Sequence, residues 1–377
     1  MAHDLAYKKY EEQLSAWQNF TGAKPSDKPI RVALFGLGRI GLIHLDKIYS
    51  NPRVKLVYCV EPSSERCAYI KAKWNLDDVK FIVSTSGEIV FNDPTVDAVI
   101  IGTPTQTHFD ILMGALRAGK NVLCEKPLAS NYQGMEACYA LAKEKGVVLL
   151  TAFNRRFDPT FNNIRQRIAA GEVGQIHVIK SCARDSPRPT IEYLATSGGI
   201  YHDCAVHDID MLLWQTGEYP IRVSCTGLAF SDDIRAIDDH DSVAIMLTFP
   251  SGAIGMIDLD RNSPYGYDQR IEVFGPKGML SGDNLRANGV VGENNNQSSQ
   301  TPILYSFVSR YAVSYATELE HFINCVKGTE ECTIKDYQAL ASYIVSEAAE
   351  KSARTGQTIN LTWDENKFPT VGPTGNK

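Results

Sequence analysis

Five short apolar runs rich in β-branched residues, RVALFG, VKLVYCV, DAVIIG, NVLCE and VVLLTAF, recur through residues 31–153. They show little of the polar–apolar alternation of a strand with one wet face. Between them lie stretches with helical spacing, such as GLIHLDKIY, HFDILMGALRAG and MEACYALAKEK. Strands buried on both faces need helices above and below them, which a strand–helix alternation supplies. This half of the chain is therefore expected to form a doubly wound parallel sheet.

Directly after the first run, FGLGRIG sets Gly36, Gly38 and Gly41 in a G-x-G-x-x-G spacing ahead of a helical stretch. The first glycine permits a tight turn, the second lets backbone approach a pyrophosphate, and the third allows close helix–strand packing. The helix start offers free N–H groups to the anion. Glu61 ends the second run, where a carboxylate accepts bonds from the ribose hydroxyls and repels a 2′-phosphate. Arg66 comes only later, so NAD is expected over NADP. Thr103, Pro104 and Thr105 follow the DAVIIG run, and Glu125 and Lys126 close NVLCE, so both groups lie at the sheet's carboxyl edge. Arg39 and Ile40 inside the glycine turn, and His108 on the helix after Thr105, complete the expected cofactor contacts. Lys126 precedes Pro127 and is a candidate to bind or polarise a reacting oxygen.

After about residue 155 the rhythm changes. GQIHVIKSCARDS, YPIRVSCTGLAFS, DSVAIMLTF, AIGMIDLDRN and QRIEVFG read as longer strands of a mostly antiparallel sheet, with hairpin chemistry in FPSGA and FGPKG. Residues 283–301 read as a polar loop, and helices are expected near 309–327 and 335–354. The chain of 377 residues is long for a single core. The expected division is an extension over 1–28, a Rossmann domain over 29–153, a substrate-binding and oligomerisation α+β domain over 154–365, and a tail over 366–377. In the extension, Tyr10, Leu14 and Trp17 share one helical face.

A net charge of −6 disfavours a nucleic-acid or anionic-membrane surface, and the apolar runs are too short to span a bilayer. The nine cysteines have no regular spacing and the first residues lack an apolar signal core. Reduced thiols in a cytoplasmic protein are the expectation.

SGGIYHDCAVHDIDM, residues 197–211, gathers His202, Asp203, His207, Asp208 and Asp210 in an otherwise apolar stretch. On a regular helix Asp203 and His207 are four apart and share a face, with Asp210 nearby. Asp203 is then expected to orient the imidazole and stabilise its protonated form, leaving His207 able to accept a proton near neutral pH. Oxidation of an alcohol by hydride loss needs such a base. The same residues also read as helix caps or ordinary ion pairs. A metal reading meets no H-E-x-x-H and no cysteine ligand spacing, and none is expected.

GLGRIG, CEKP and SGGIYHDCAVHDID, in this order, resemble the glucose–fructose oxidoreductase/inositol dehydrogenase/MocA family over roughly residues 30–362. FNRRFDPTF, CARDSPRP and GYDQRIEVFG resemble its inositol 2-dehydrogenases in particular. The resemblance implies NAD-dependent oxidation of a cyclic polyol, with myo-inositol going to 2-keto-myo-inositol. It implies Lys126, Asp203 and His207 as a catalytic trio, with His207 as general base, although Lys126 is also read as the proton acceptor in such enzymes. Asn154, Arg155, Asp185 and Tyr267 would join the trio around the substrate. It further implies a homodimer or homotetramer joined through the C-terminal sheet. Asn154 stands where inositol enzymes carry methionine and Ala183 where some carry histidine, which bears on the stereoisomer. Two other readings stand beside this one: a sugar dehydrogenase or keto-sugar reductase of the same family, and a non-catalytic NAD-sensing subunit.

Overall fold

The structure, a computed structural model, describes residues 28–370 and 372. The amphipathic stretch around Tyr10, Leu14 and Trp17 lies outside the described residues. The chain divides into two compact units. The first comprises residues up to Glu125, Ala140–Leu150 and Tyr315–Thr333; the second comprises Lys126–Tyr139, Thr151–Ser314 and the chain from Ile334.

In the first unit, β1 (Ile30–Phe35), β2 (Val54–Val60), β3 (Lys80–Ile82), β4 (Ala98–Ile101), β5 (Asn121–Cys124) and β6 (Leu149–Thr151) form one sheet in the order β3-β2-β1-β4-β5-β6. The pairings from β3 through β5 are parallel. All of β4 is fully buried, as two-sided helix cover requires. The short β3, whose KFI carries little apolar signal, is the strand that the apolar runs do not announce. Strand order reverses between β1 and β4, and at such a switch point the carboxyl ends diverge to leave a crevice.

In the second unit, seven strands follow the order β12-β11-β7-β10-β9-β8-β15. They are β7 (Val178–Arg184), β8 (Arg222–Leu228), β9 (Ser242–Thr248), β10 (Ile254–Asp260), β11 (Asp268–Gly275), β12 (Gly278–Gly282) and β15 (Ile359–Asn360). Only β7 and β10 pair in parallel; the other pairings are antiparallel. Burial alternates strictly along β9 and β10, so one face is covered and the other is open. Helices Val206–Thr216 and Asp336–Thr355 pack on the covered face. There Gly255 lies close under the helix, and a Cβ would come 2.9 Å from Leu212 Cδ2 and 3.1 Å from Leu247 Cβ. The open face carries Met246, Ile254, Met256, Phe274 and Met279, all exposed.

One expectation needs correction. Residues 283–301 are not wholly loop, since β13 (Val291–Glu293) and β14 (Ser298–Gln300) form an exposed hairpin whose turn is tied by Asn294 side-chain bonds to Asn296 N and Gln297 N. The tail is anchored at its start, where Phe368 stacks edge-on against Trp363 and Tyr219.

Candidate active site

The glycine turn joins β1 to helix Arg39–Tyr49 and is built for a close backbone approach. Gly36 has φ +87°, and a Cβ there would lie 2.6 Å from Gly102 O; a Cβ on Gly41 would lie 2.0 Å from Gly36 O. A Cβ added at Gly38 would meet nothing within 4 Å, which leaves room for a pyrophosphate where the motif needs it. Arg39 is exposed and Ile40 half-buried at the same turn. Glu61 accepts a bond from Leu37 N at 2.9 Å through one oxygen and from Ser63 N at 3.1 Å through the other, which ties this carboxylate to the turn. The residues present fit a dinucleotide without a 2′-phosphate.

Thr103, Pro104 and Thr105 follow β4, and Thr103 Oγ1 accepts a bond from Thr107 Oγ1 at 2.8 Å. His108 is buried, with its ring nitrogen 2.8 Å from Thr103 O, so it braces this loop from beneath. Glu125 is buried beside His44, with Oε1 2.8 Å from His44 Nε2. His108 thus bonds the loop backbone and Glu125 bonds His44 through one of its two oxygens.

The second unit gathers Lys126, Asp203, His207, Asn154, Arg155, Asp185 and Tyr267. Lys126 Nζ donates to Asp203 Oδ1 at 3.1 Å and to the Asp203 carbonyl at 2.5 Å. Tyr193 Oη donates to the same Oδ1 at 2.9 Å, and Arg261 Nη1 donates to Oδ2 at 2.7 Å. Burial alone would raise the Asp203 carboxyl, but Lys126 and Arg261 outweigh it and hold the group well below the usual carboxylate range.

The expected pairing of Asp203 with His207 is therefore corrected: Asp203 makes no hydrogen bond to His207. The cause is local geometry. Residues Tyr201–Ala205 form a π-turn that runs into helix Val206–Thr216, so the four-residue spacing no longer sets the two side chains one above the other. His207 Nδ1 is buried with no hydrogen-bond partner, and its ring lies edge-on to Phe153. Burial first, then the Lys126 and Arg155 charges, push its pKa well below 6.5, so His207 is a neutral imidazole rather than one stabilised in its protonated form.

Asp208 and Asp210 hold buried arginines. Arg155 Nη1 reaches Asp208 Oδ1 at 2.8 Å, and Ser181 Oγ donates to that oxygen at 2.6 Å. Arg156 takes Asp210 in a two-bond fork at 2.6 and 2.8 Å. Asp210 thus faces Arg156 rather than His207. The NRR and DID triplets pair across the second unit, a signal visible as two adjacent cations and two alternating anions in apolar surroundings. Arg155 keeps its place beside the cluster, with Tyr311 under its guanidinium. Asn154 is buried and its Nδ2 has no partner, an uncommon state for an amide. Asp185 follows β7, and burial raises its carboxyl while the Cys204 thiol donates to it at 3.2 Å. Tyr267 is buried edge-on to Tyr311, with its hydroxyl pushed well up by burial. Arg261 and Tyr193 escape sequence reasoning because neither sits in a local pattern.

His202 lies on the π-turn beside Glu347 and Glu350, 3.0 and 3.5 Å from their oxygens. Burial opposes protonation, but bonds to the two carboxylates prevail and lift the imidazole to about 9. A raised folded pKa gives stability that is complete below the unfolded value near 6.5 and is lost as pH rises through about 9. His202→Gln is expected to abolish the part of the Tm decline between pH 7 and pH 10 that this group causes. An unchanged decline in thermal melts would show that the His202 pair adds nothing.

Residues 30–153 match the family described as oxidoreductase family, NAD-binding Rossmann fold, and residues 161–281 match the GFO/IDH/MocA C-terminal domain. The chain is 34% identical to the myo-inositol 2-dehydrogenase of Thermotoga maritima over 88% of its length and 98% of that protein. It is also 34% identical to the scyllo-inositol 2-dehydrogenase (NAD(+)) of Bacillus subtilis, over 88% of this chain and 96% of that one. The crystal structure of a myo-inositol dehydrogenase from Corynebacterium glutamicum superposes with a TM-score of 0.82 at 32% identity, covering 89% of this chain and all of that one. With both domains matched and relatives of this identity aligned over nearly their full length, the chain belongs to the Gfo/Idh/MocA family of oxidoreductases.

Proposed function

We propose that this chain is a cytoplasmic NAD-dependent inositol 2-dehydrogenase that oxidises myo-inositol to 2-keto-myo-inositol. The observation that carries the reading is the cluster of a Lys126 ammonium anchored on Asp203 with a neutral, unpaired His207 imidazole beside it. In the reaction the ring C–H leaves as hydride, the hydroxyl proton goes to His207, and a C=O bond forms. Bound NAD supplies the hydride acceptor. Lys126 donates a hydrogen bond to the reacting oxygen as negative charge develops on it. His207 accepts the proton because it is uncharged. The imidazolium is disfavoured by burial and by Lys126 and Arg155, so the proton is passed on readily and the step runs in either direction. The unpaired Asn154 amide offers a donor to a ring hydroxyl, and Asp185 and Tyr267 offer further polar contacts. The open sheet face, with Met246 paired opposite Met256 and Phe274 opposite Met279, supports assembly as a dimer or tetramer.

The equal identity to a scyllo-inositol enzyme favours one second reading, oxidation of that stereoisomer. The test is NADH formation with myo-, scyllo- and D-chiro-inositol, glucose and xylose, each with NAD and with NADP. NADH from myo-inositol is expected, with the acid limb of the rate below pH 6.5, since His207 titrates below its ordinary value. In the same assay His207→Ala should lose about 10²- to 10⁴-fold in kcat. Activity on scyllo-inositol alone moves the substrate, and silence on every polyol with NADH still bound overturns the enzymatic reading.

A further inference from the structure

Arg261 has its entire side chain out of water, in direct contact with the carboxylate that anchors Lys126. The two cations on Asp203 differ in kind. Arg261 follows β10, its backbone N donates to Asp241 O at 2.8 Å, and its guanidinium is walled in beside Cys204 and Asp239. It cannot lose its proton and has nowhere to move. Lys126 sits on a flexible stem and retains some exposure. Asp203 Oδ2 belongs to Arg261, whereas Oδ1 is shared by Lys126 and Tyr193.

This arrangement has an energetic consequence. Asp203 takes two of the three Lys126 N–H donors, so for the ammonium to move toward a substrate oxygen with more than its one spare N–H it must loosen its hold on Asp203. If Lys126 were the only cation there, the move would leave a buried carboxylate unpaired, which is strongly unfavourable. With Arg261 in place the carboxylate keeps a charge-assisted bond throughout. We propose that Arg261 is a positioning residue for the oxidation: it serves as the standing counter-ion of Asp203 and so releases Lys126 to the reacting oxygen. The inference rests on the dehydrogenase reading above. Arg261 touches neither cofactor nor substrate in this role and acts through Asp203 and Lys126.

The test compares Arg261→Met and Arg261→Lys in wild-type and Lys126→Met backgrounds, with NADH fluorescence titration counting competent sites. Arg261→Met is expected to lower kcat per competent site by about 10- to 100-fold, the range of one charge-assisted bond. KM for NAD should stay within about twofold, and the primary deuterium isotope effect with 2-deuterated inositol should rise as the chemical step slows. Arg261→Lys restores most of the rate. In the Lys126→Met background the same change should cost less than about threefold, because residues acting through one another are not additive. A full additive loss in that background, or a fall only in the number of competent sites with an unchanged isotope effect, overturns the proposal. If Arg261→Met fails to fold, Arg261→Gln, which keeps a bond to Asp203 without the charge, must show the same kcat loss or the proposal falls. A fully active Lys126→Met also overturns the proposal, since Arg261 acts through Lys126, whereas an inactive wild type sinks the dehydrogenase reading instead, so the two failures are distinguishable.

Discussion

Lys126→Met is expected to lower kcat for polyol oxidation by about 10³-fold while leaving NADH affinity within about threefold. Methionine keeps much of the stem and removes only the ammonium. Asp203 remains ionised, because Arg261 still holds Oδ2. What disappears is the one cation in the cluster free to follow a developing negative charge on the substrate oxygen. A second signature follows from the charges around His207. Lys126 is one of the groups that depress the imidazole, so its removal lets the His207 pKa climb and the acid limb of the rate profile moves to higher pH. Steady-state rates across pH 5–9 with NADH titrations on the same preparations check both points. A kcat within tenfold of wild type would remove Lys126 from the chemistry.

The second large effect belongs to the glycine turn. Gly41→Ala puts a methyl 2.0 Å from Gly36 O and 2.8 Å from Gly36 C, both backbone atoms of a turn with φ +87° at Gly36. No side chain can swing aside, so the turn itself must open. NADH affinity should fall by more than about 100-fold, and stability should fall by several kcal/mol as helix Arg39–Tyr49 lifts from β1. Gly38→Ala separates the two losses. Nothing lies within 4 Å of its added carbon, so its Tm should match wild type while the methyl intrudes on the space left for the pyrophosphate. Thermal melts and fluorescence titration of both variants decide the point. Tight NADH binding by Gly41→Ala would mean that the crevice lies elsewhere.

Much of the first unit is legible in the sequence because parallel strands buried on both faces must be apolar throughout, as VII of β4 is, and because a phosphate turn leaves its glycines at fixed spacing. The lysine after β5 and the histidine–aspartate segment are likewise visible as residue types in order. Their partners are not. The spacing of Asp203 and His207 suggests a shared helix face, yet Tyr201–Ala205 is a π-turn rather than regular helix and no hydrogen bond joins the two side chains. Asp203 is spoken for by Lys126, 77 residues earlier, and by Arg261, 58 residues later. Local periodicity carries no information about such contacts. The roles of Asp208 and Asp210 are decided in the same way, by Arg155 and Arg156 some fifty residues upstream.

By itself the sequence determined the strand–helix alternation, the phosphate turn, the acid at Glu61 and the supply of acid–base groups, because each of these follows from near neighbours and from burial. Only the tertiary structure decided which charge meets which. A buried carboxylate binds whatever cation the packed sheet and helices deliver to it, and that choice left Asp203 with Lys126 and Arg261, and His207 neutral and unpaired.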